Sequence, residues 1–220
     1  MQFHTLDPIL VIVLLLNFLA LGVSRLNTVI YAVAIQGVLL AIMQPLVSGK
    51  SIGFADVEMV SIVLMAITFG VKGYVIPKML FYAMQRANVH REVEPLIGFV
   101  PSLLLGAIGT GISLYFARTL QLHEQHTSSL VVPTSLTTVL VGFIVLITRR
   151  QAINQVLGYL LLENGVFVFG LLLLHAMPIF VELGVLLDIF VGVFVMGIII
   201  NHISREVPST TTEHLSSLRE

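Results

Sequence analysis

Residues 149–202 read RRQAINQVLGYLLLENGVFVFGLLLLHAMPIFVELGVLLDIFVGVFVMGIIINH, and this stretch decides the fold. Two long apolar runs meet at a short turn, His175-Ala176-Met177-Pro178. The runs are too long and too evenly apolar for barrel strands, which alternate, so they read as membrane helices. Three carboxylates sit inside them: Glu163, Glu182 and Asp188. An Asp at the centre of a membrane helix costs about 2.5–3.5 kcal/mol on insertion scales. Each acid therefore needs a partner, water or a proton, and function turns on which.

The rest of the chain agrees with that reading. Of 220 residues, 57% are hydrophobic and 10% charged, a balance that excludes a soluble domain of this size. Cysteine is absent, which excludes disulfides, thiolate metal sites and iron–sulfur ligation. A net charge of −1 gives no basic surface for nucleic acid. The N-terminus has no basic run and no small-residue cleavage site, so the first apolar run reads as a retained helix.

A spanning helix needs about 20 mostly apolar residues. That ruler predicts an all-α, polytopic membrane protein with seven transmembrane helices, at about 8–23, 27–46, 57–76, 96–120, 130–148, 152–175 and 179–202. Asp7 is expected to cap the first, with Pro8 in its first turn. The third has a longer alternative that runs through Pro77 to about residue 83. Residues 1–202 form one transmembrane domain, and 203–220 a polar tail. Gly106, Gly109 and Gly111 are expected to admit close helix contacts. Eight basic residues (Arg25, Lys78, Arg86, Arg91, Arg149, Arg150, Arg205, Arg219) fall on one side of this topology and two (Lys50, Arg118) on the other. The positive-inside rule then puts the N-terminus outside and the C-terminus in the cytoplasm.

Depth ranks the buried polar groups. Glu163 lies 13 residues beyond Arg150, roughly 20 Å along a helix and near the middle of the bilayer. Gln151, Gln155, Tyr159 and Glu163 recur every four residues, a polar stripe from the helix start to the acid. It reads as the wall of a hydrated half-channel, or else Glu163 is a structural acid bonded to a neighbouring helix. Asp188 is nine residues into the last helix, at matching depth, and Glu182 only three, near the outer edge. Glu182 is then a second relay group or a first-turn interfacial acid. Lys72 either snorkels to water, if its helix ends at Ile76, or meets an acid at mid-depth, if the helix continues. Asn17 and Gln36 read as interhelical hydrogen-bonding groups. His175 and His202 sit at the interfaces, and His123 and His126 in an outer loop lack enough ligands for a metal. No nucleotide loop, nucleophile–base pair or haem ligand pair is present. No catalytic, cofactor-binding or metal residue is expected, and the candidate proton-relay set is Glu163, Asp188, Glu182, Lys72, Tyr159 and Gln155.

The pattern Arg150–Gln151–x–Ile153, Gly158–Tyr159–x–x–x–Glu163–Asn164–Gly165, then Val181–Glu182–x–Gly184–x–x–x–Asp188, resembles component E of hydrogenase-4-type complexes. The resemblance extends to Lys72 with Pro77, and to a tail with Leu215 and Leu218. That family is similar to the K subunit of bacterial complex I and the C subunit of Mrp-type antiporters. The resemblance implies a three-helix K-type unit at 130–202, with Glu163 and Glu182 in place of its two membrane glutamates. Asp188 stands beside Glu182 because it alone matches Glu163 in depth. The resemblance also implies an inner-membrane, non-redox subunit of a complex I-like oxidoreductase, such as formate hydrogenlyase, in a bacterium or archaeon. Its partners would be antiporter-like membrane subunits and, through the tail, a hydrophilic arm. It would carry no cofactor of its own. Two other readings stay open: a structural spacer in the same complex, and a subunit of a cation/proton antiporter.

Overall fold

The computed structural model describes residues 6–47, 66, 68–86, 95–120, 129–170 and 197, with 44–47 as backbone only. Among the described residues there are six α-helices and no strand. They are α1 (Leu6–Gly22), α2 (Leu26–Val47), α3 (Ile76–Arg86), α4 (Phe99–Thr119), α5 (Val131–Thr148) and α6 (Ala152–Gly170). A single wide π turn, Val71–Val75, leads directly into α3. Among the described residues four helices are long and apolar enough to cross a membrane: α2 over Leu26–Met43, and α4, α5 and α6. α1 is a shorter apolar helix. Apart from residue 197, the last expected helix, at 179–202, and the tail lie outside the described residues.

Local chemistry explains the helix ends. Pro8, Pro101 and Pro133 all fall in first turns, where the backbone N–H has no acceptor in the helix to lose. Asp7 is not the cap expected of it: α1 already begins at Leu6, so Asp7 sits within the first turn. Its charge there still favours the positive end of the helix dipole. Helical hydroxyls turn inward to backbone carbonyls one turn back, as Ser102, Thr110, Ser113 and Thr148 all do at 2.6–2.9 Å. In hydrocarbon that satisfies a polar group that has no water.

Three-residue links join α1 to α2 and α5 to α6, which makes each pair antiparallel neighbours. The α5–α6 seam is backbone against backbone. A Cβ added at Gly142 would come within 2.6 Å of the Leu162 amide nitrogen, and one at Gly165 within 2.6 Å of the Val139 nitrogen. Gly158 is nearly as tight, at 2.9 Å from the Leu146 nitrogen. Of the glycines in α4, Gly106 meets Leu21 and Gly109 meets Leu140. Gly111 does not make the contact expected of it, since nothing lies within 4 Å of its added Cβ.

The interior is layered. One apolar cluster holds Leu21, Ile30, Leu80, Val145, Leu157 and their neighbours. A smaller one, toward the start of α1, holds Leu10, Val13, Leu40, Met43, Val131 and Val168. In chain order, Asn17, Gln36, Thr138, Glu163 and Asn164 all fall between the two clusters. α4 lies to one side and buries only Ser102, Gly106 and Ser113. It exposes Val100, Leu104, Ile108, Ile112 and Tyr115. Such a face suits lipid or a protein neighbour, not water.

Arg149 lies in the α5–α6 link, as a loop cation should, but it is buried there. It is 4% exposed; its Nη2 donates to the Leu21 carbonyl at 3.0 Å, and its guanidinium lies 4.2 Å from the Phe99 ring centroid. It ties the last turn of α1 to the starts of α4 and α6. Arg149→Met is expected to destabilise the folded chain by about 2 kcal/mol, from one charged hydrogen bond and one cation–π contact. Arg149→Lys should recover less than half of that, because an ammonium lacks the planar fork. Thermal midpoints in mild detergent check both.

Candidate functional site

The polar layer is built on side chains that each lie about halfway along a helix. Asn17 is 11 residues into α1, Gln36 is 10 into α2, and Glu163 and Asn164 are 11 and 12 into α6. At 1.5 Å per residue all four lie roughly 15–18 Å from their helix starts. Lys72 reaches the same layer from the π turn, and α3 continues past Pro77 as the longer alternative predicted. Two glycines make room for it. A Cβ at Gly37 would meet the Lys72 Cβ at 2.9 Å, and one at Gly73 would meet Val38 at 2.9 Å. α2 and the π turn therefore approach closely enough for Lys72 to cross to α6.

There it meets the acid. Lys72 Nζ lies 2.6 Å from Glu163 Oε1, with the two side chains 6% and 2% exposed. The same Nζ donates to Asn164 Oδ1 at 3.2 Å and lies 5.6 Å from the Phe167 ring centroid. The other carboxylate oxygen, Glu163 Oε2, is buried and has no hydrogen-bond partner among the described residues. Beside Lys72 and Asn164 is a cavity of about 10 Å³, lined also by Gly37, Ile76, Pro77 and Leu160. It has room for about one water.

From Asn164 the hydrogen bonds continue across the bundle. Asn164 Nδ2 donates to Gln36 Oε1 at 3.2 Å, and Gln36 Nε2 donates to Asn17 Oδ1 at 3.0 Å. Asn17 Nδ2 donates to Thr138 Oγ1 at 2.7 Å, which donates to the Thr134 carbonyl at 2.7 Å. Asn17 and Gln36 thus join helices, as their chemistry suggested. Nearby on α5 the Thr134, Ser135 and Thr137 hydroxyls are buried without a partner among the described residues.

Of the six candidate relay residues, the structure brings Glu163 and Lys72 together. Tyr159 is half-buried against the larger apolar cluster, and Gln155 is exposed on the surface of α6. The stripe therefore opens on the outside of the described bundle and drifts inward to Glu163. Glu182 and Asp188 lie outside the described residues, as do His123, His126, His175 and His202. Among the described residues no group of three His, Cys, Asp or Glu side chains could hold a metal. Sequence reasoning missed Asn164 and Thr138 as parts of this layer. The depth arithmetic applied to the acids would have found Asn164, which adjoins Glu163. Thr138 carries no such signal, being one of many hydroxyls in a Thr-rich helix.

The chain resembles two groups of known proteins. It is 29% identical over 196 residues to Uncharacterized protein Rv0085 of Mycobacterium tuberculosis, covering 89% of this chain and 87% of that one. It is 24% identical over 154 residues to Hydrogenase-4 component E of Escherichia coli, covering 70% of this chain and 71% of that one. The latter is a distant relationship. No family model matches, and no solved structure matches.

Proposed function

We propose that this chain is a non-redox membrane subunit of a complex I-like oxidoreductase of the hydrogenase-4 or formate hydrogenlyase type, and that Glu163 and Lys72 take part in its proton translocation. The observation that carries this is the buried Lys72–Glu163 pair, 2.6 Å apart, whose second carboxylate oxygen has no partner among the described residues. A buried charge pair in a membrane helix bundle is costly, and its commonest use is on an ion or proton path. The distant similarity to Hydrogenase-4 component E supports the choice of complex.

In this reading seven helices cross the inner membrane, with the N-terminus outside and the C-terminus in the cytoplasm. Protons reach Glu163 from the inner side along Gln155 and Tyr159, and Asp188 and Glu182 are the next stations. Redox centres lie in other subunits, this chain binds no cofactor, and its neighbours are antiporter-like membrane subunits. The 203–220 tail meets the hydrophilic arm.

One observation favours a second role. The ion pair ties the π turn that leads into α3 to the middle of α6. A purely structural pair would serve the complex as a spacer. Glu163→Gln separates the two. The amide keeps shape and one hydrogen bond to Lys72 but cannot exchange a proton. In inverted membrane vesicles of the producing organism, with the complex assembled, it is expected to lower proton uptake per turnover at least five-fold while the subunit still co-purifies with its neighbours. Normal proton uptake in that variant would leave the spacer role.

A further inference from the structure

The hydrogen bonds between Lys72 and α5 all point one way. Lys72 Nζ donates to Asn164, Asn164 to Gln36, Gln36 to Asn17, Asn17 to Thr138, and Thr138 to the Thr134 carbonyl. This polarity is not arbitrary. An ammonium only donates, so Asn164 must turn its oxygen toward Lys72 and its nitrogen away. That nitrogen needs an acceptor, so Gln36 turns its oxygen to Asn164, and the same constraint passes on to Asn17. At the far end the Thr138 hydroxyl spends its only proton on Thr134, which leaves its lone pairs for Asn17. Every amide dipole therefore has its negative end toward the cation. Asn17, Gln36 and Thr138 are fully buried, a setting in which dipoles act strongly.

The chain carries no proton, because nothing in it between Lys72 and Thr134 titrates. We propose that Thr138, Asn17 and Gln36 are positioning residues for the Glu163–Lys72 pair, acting through Asn164. With the chain intact, Asn164 presents only its oxygen, and the ammonium is fixed between that oxygen and Glu163. With the chain cut, the amide nitrogen before the cut is buried without its acceptor, and Asn164 loses part of what holds its nitrogen away from Lys72. Asn164 then leaves its place more readily, and one of the acceptors that aim the ammonium is less firmly held. A hydroxyl on α5 thus governs the aim of a lysine across three other helices. The importance of this for proton movement rests on the function proposed above, but the geometry does not.

The test uses the full-length chain in phospholipid vesicles, labelled with 15N at lysine Nζ and 13C at the glutamate carboxyl. Solid-state nitrogen–carbon recoupling reads the Lys72–Glu163 contact, and Lys72→Met combined with Glu163→Leu identifies its signal by removing it. Wild type and Thr138→Ser, which keeps the hydroxyl, should give equal recoupling. Thr138→Val, of nearly the same shape, and Gln36→Met should each reduce it at least two-fold at unchanged helix content. Wild-type recoupling in both overturns the proposal. If neither variant can be recovered, both are made again with Lys72→Met and Glu163→Leu. Recovery in that background supports the proposal, since the defect then needs the pair; continued loss overturns it. Because recoupling reads geometry alone, unchanged proton uptake in Glu163→Gln would sink the proposed function and leave this result standing.

Discussion

Lys72→Met alone is expected to leave almost no folded chain, whereas Lys72→Met with Glu163→Leu should restore most of it. The single change strands Glu163 in a site where it is 2% exposed and where one oxygen already lacks a partner among the described residues. Removing one member of a buried ion pair costs about 3–5 kcal/mol, because the survivor is left uncompensated. That is a large share of the stability of a protein this size. Replacing both members by apolar groups removes the stranded charge, and such exchanges are often neutral or better. Recovery should stop short of complete, because Asn164 Oδ1 loses its ammonium donor, a deficit of about 1–3 kcal/mol. The measurement is the monodisperse fraction after extraction in mild detergent, with thermal midpoints for the variants that survive. A single variant as stable as wild type would mean the pair holds nothing together.

The second large effect is expected at the α5–α6 seam. Gly165→Ala and Gly142→Ala should each cost about 3 kcal/mol, at the upper end of overpacking penalties. Overpacking is usually relieved by a side chain that moves. Here the obstacle is a backbone nitrogen at 2.6 Å in both cases, so relief requires the two helices to part. Parting them would also pull Glu163 and Asn164 away from Lys72, so the damage should spread to the polar layer. Gly111→Ala is the control. It meets nothing within 4 Å and should be neutral or slightly stabilising, as alanine is the better helix former. If all three variants melt together, the seam is softer than its geometry implies.

Much of this architecture was legible in the residues. The apolar ruler gave both ends of α1, α2, α4 and α5 and the start of α6 to within about three residues, because membrane helices are bounded by composition and little else. Glu163 and Lys72 stood out because charge in hydrocarbon demands an explanation. The partnership itself was not legible. Lys72 had two readings that depended on whether its helix survives Pro77, and nothing local decides that. Asp7 misses its capping place because α1 starts one residue before it, whereas the contacts of Gly111 and the burial of Arg149 are decided by neighbouring helices that one helix's sequence does not show. The depth argument favoured an acid on the last helix as the partner of Glu163. Among the described residues the partner is a lysine 91 positions earlier in the chain.

The π turn has a further consequence for the length of the chain itself. Thr68, Lys72, Ile76, Leu80 and Met84 are all buried, and they recur every four residues. In an unbroken α-helix a four-residue spacing drifts by about 40° per step, or roughly 160° over this run, too far to keep one face inward. The wide turn takes up about one extra residue and brings the drift down to roughly 60°. The loss of one codon in 73–75 would therefore be absorbed: an unbroken α-helix one residue shorter keeps the drift at roughly 60° and both halves toward the bundle. The gain of one codon there would add about 100° and set the lysine half of the segment and the apolar half on different sides.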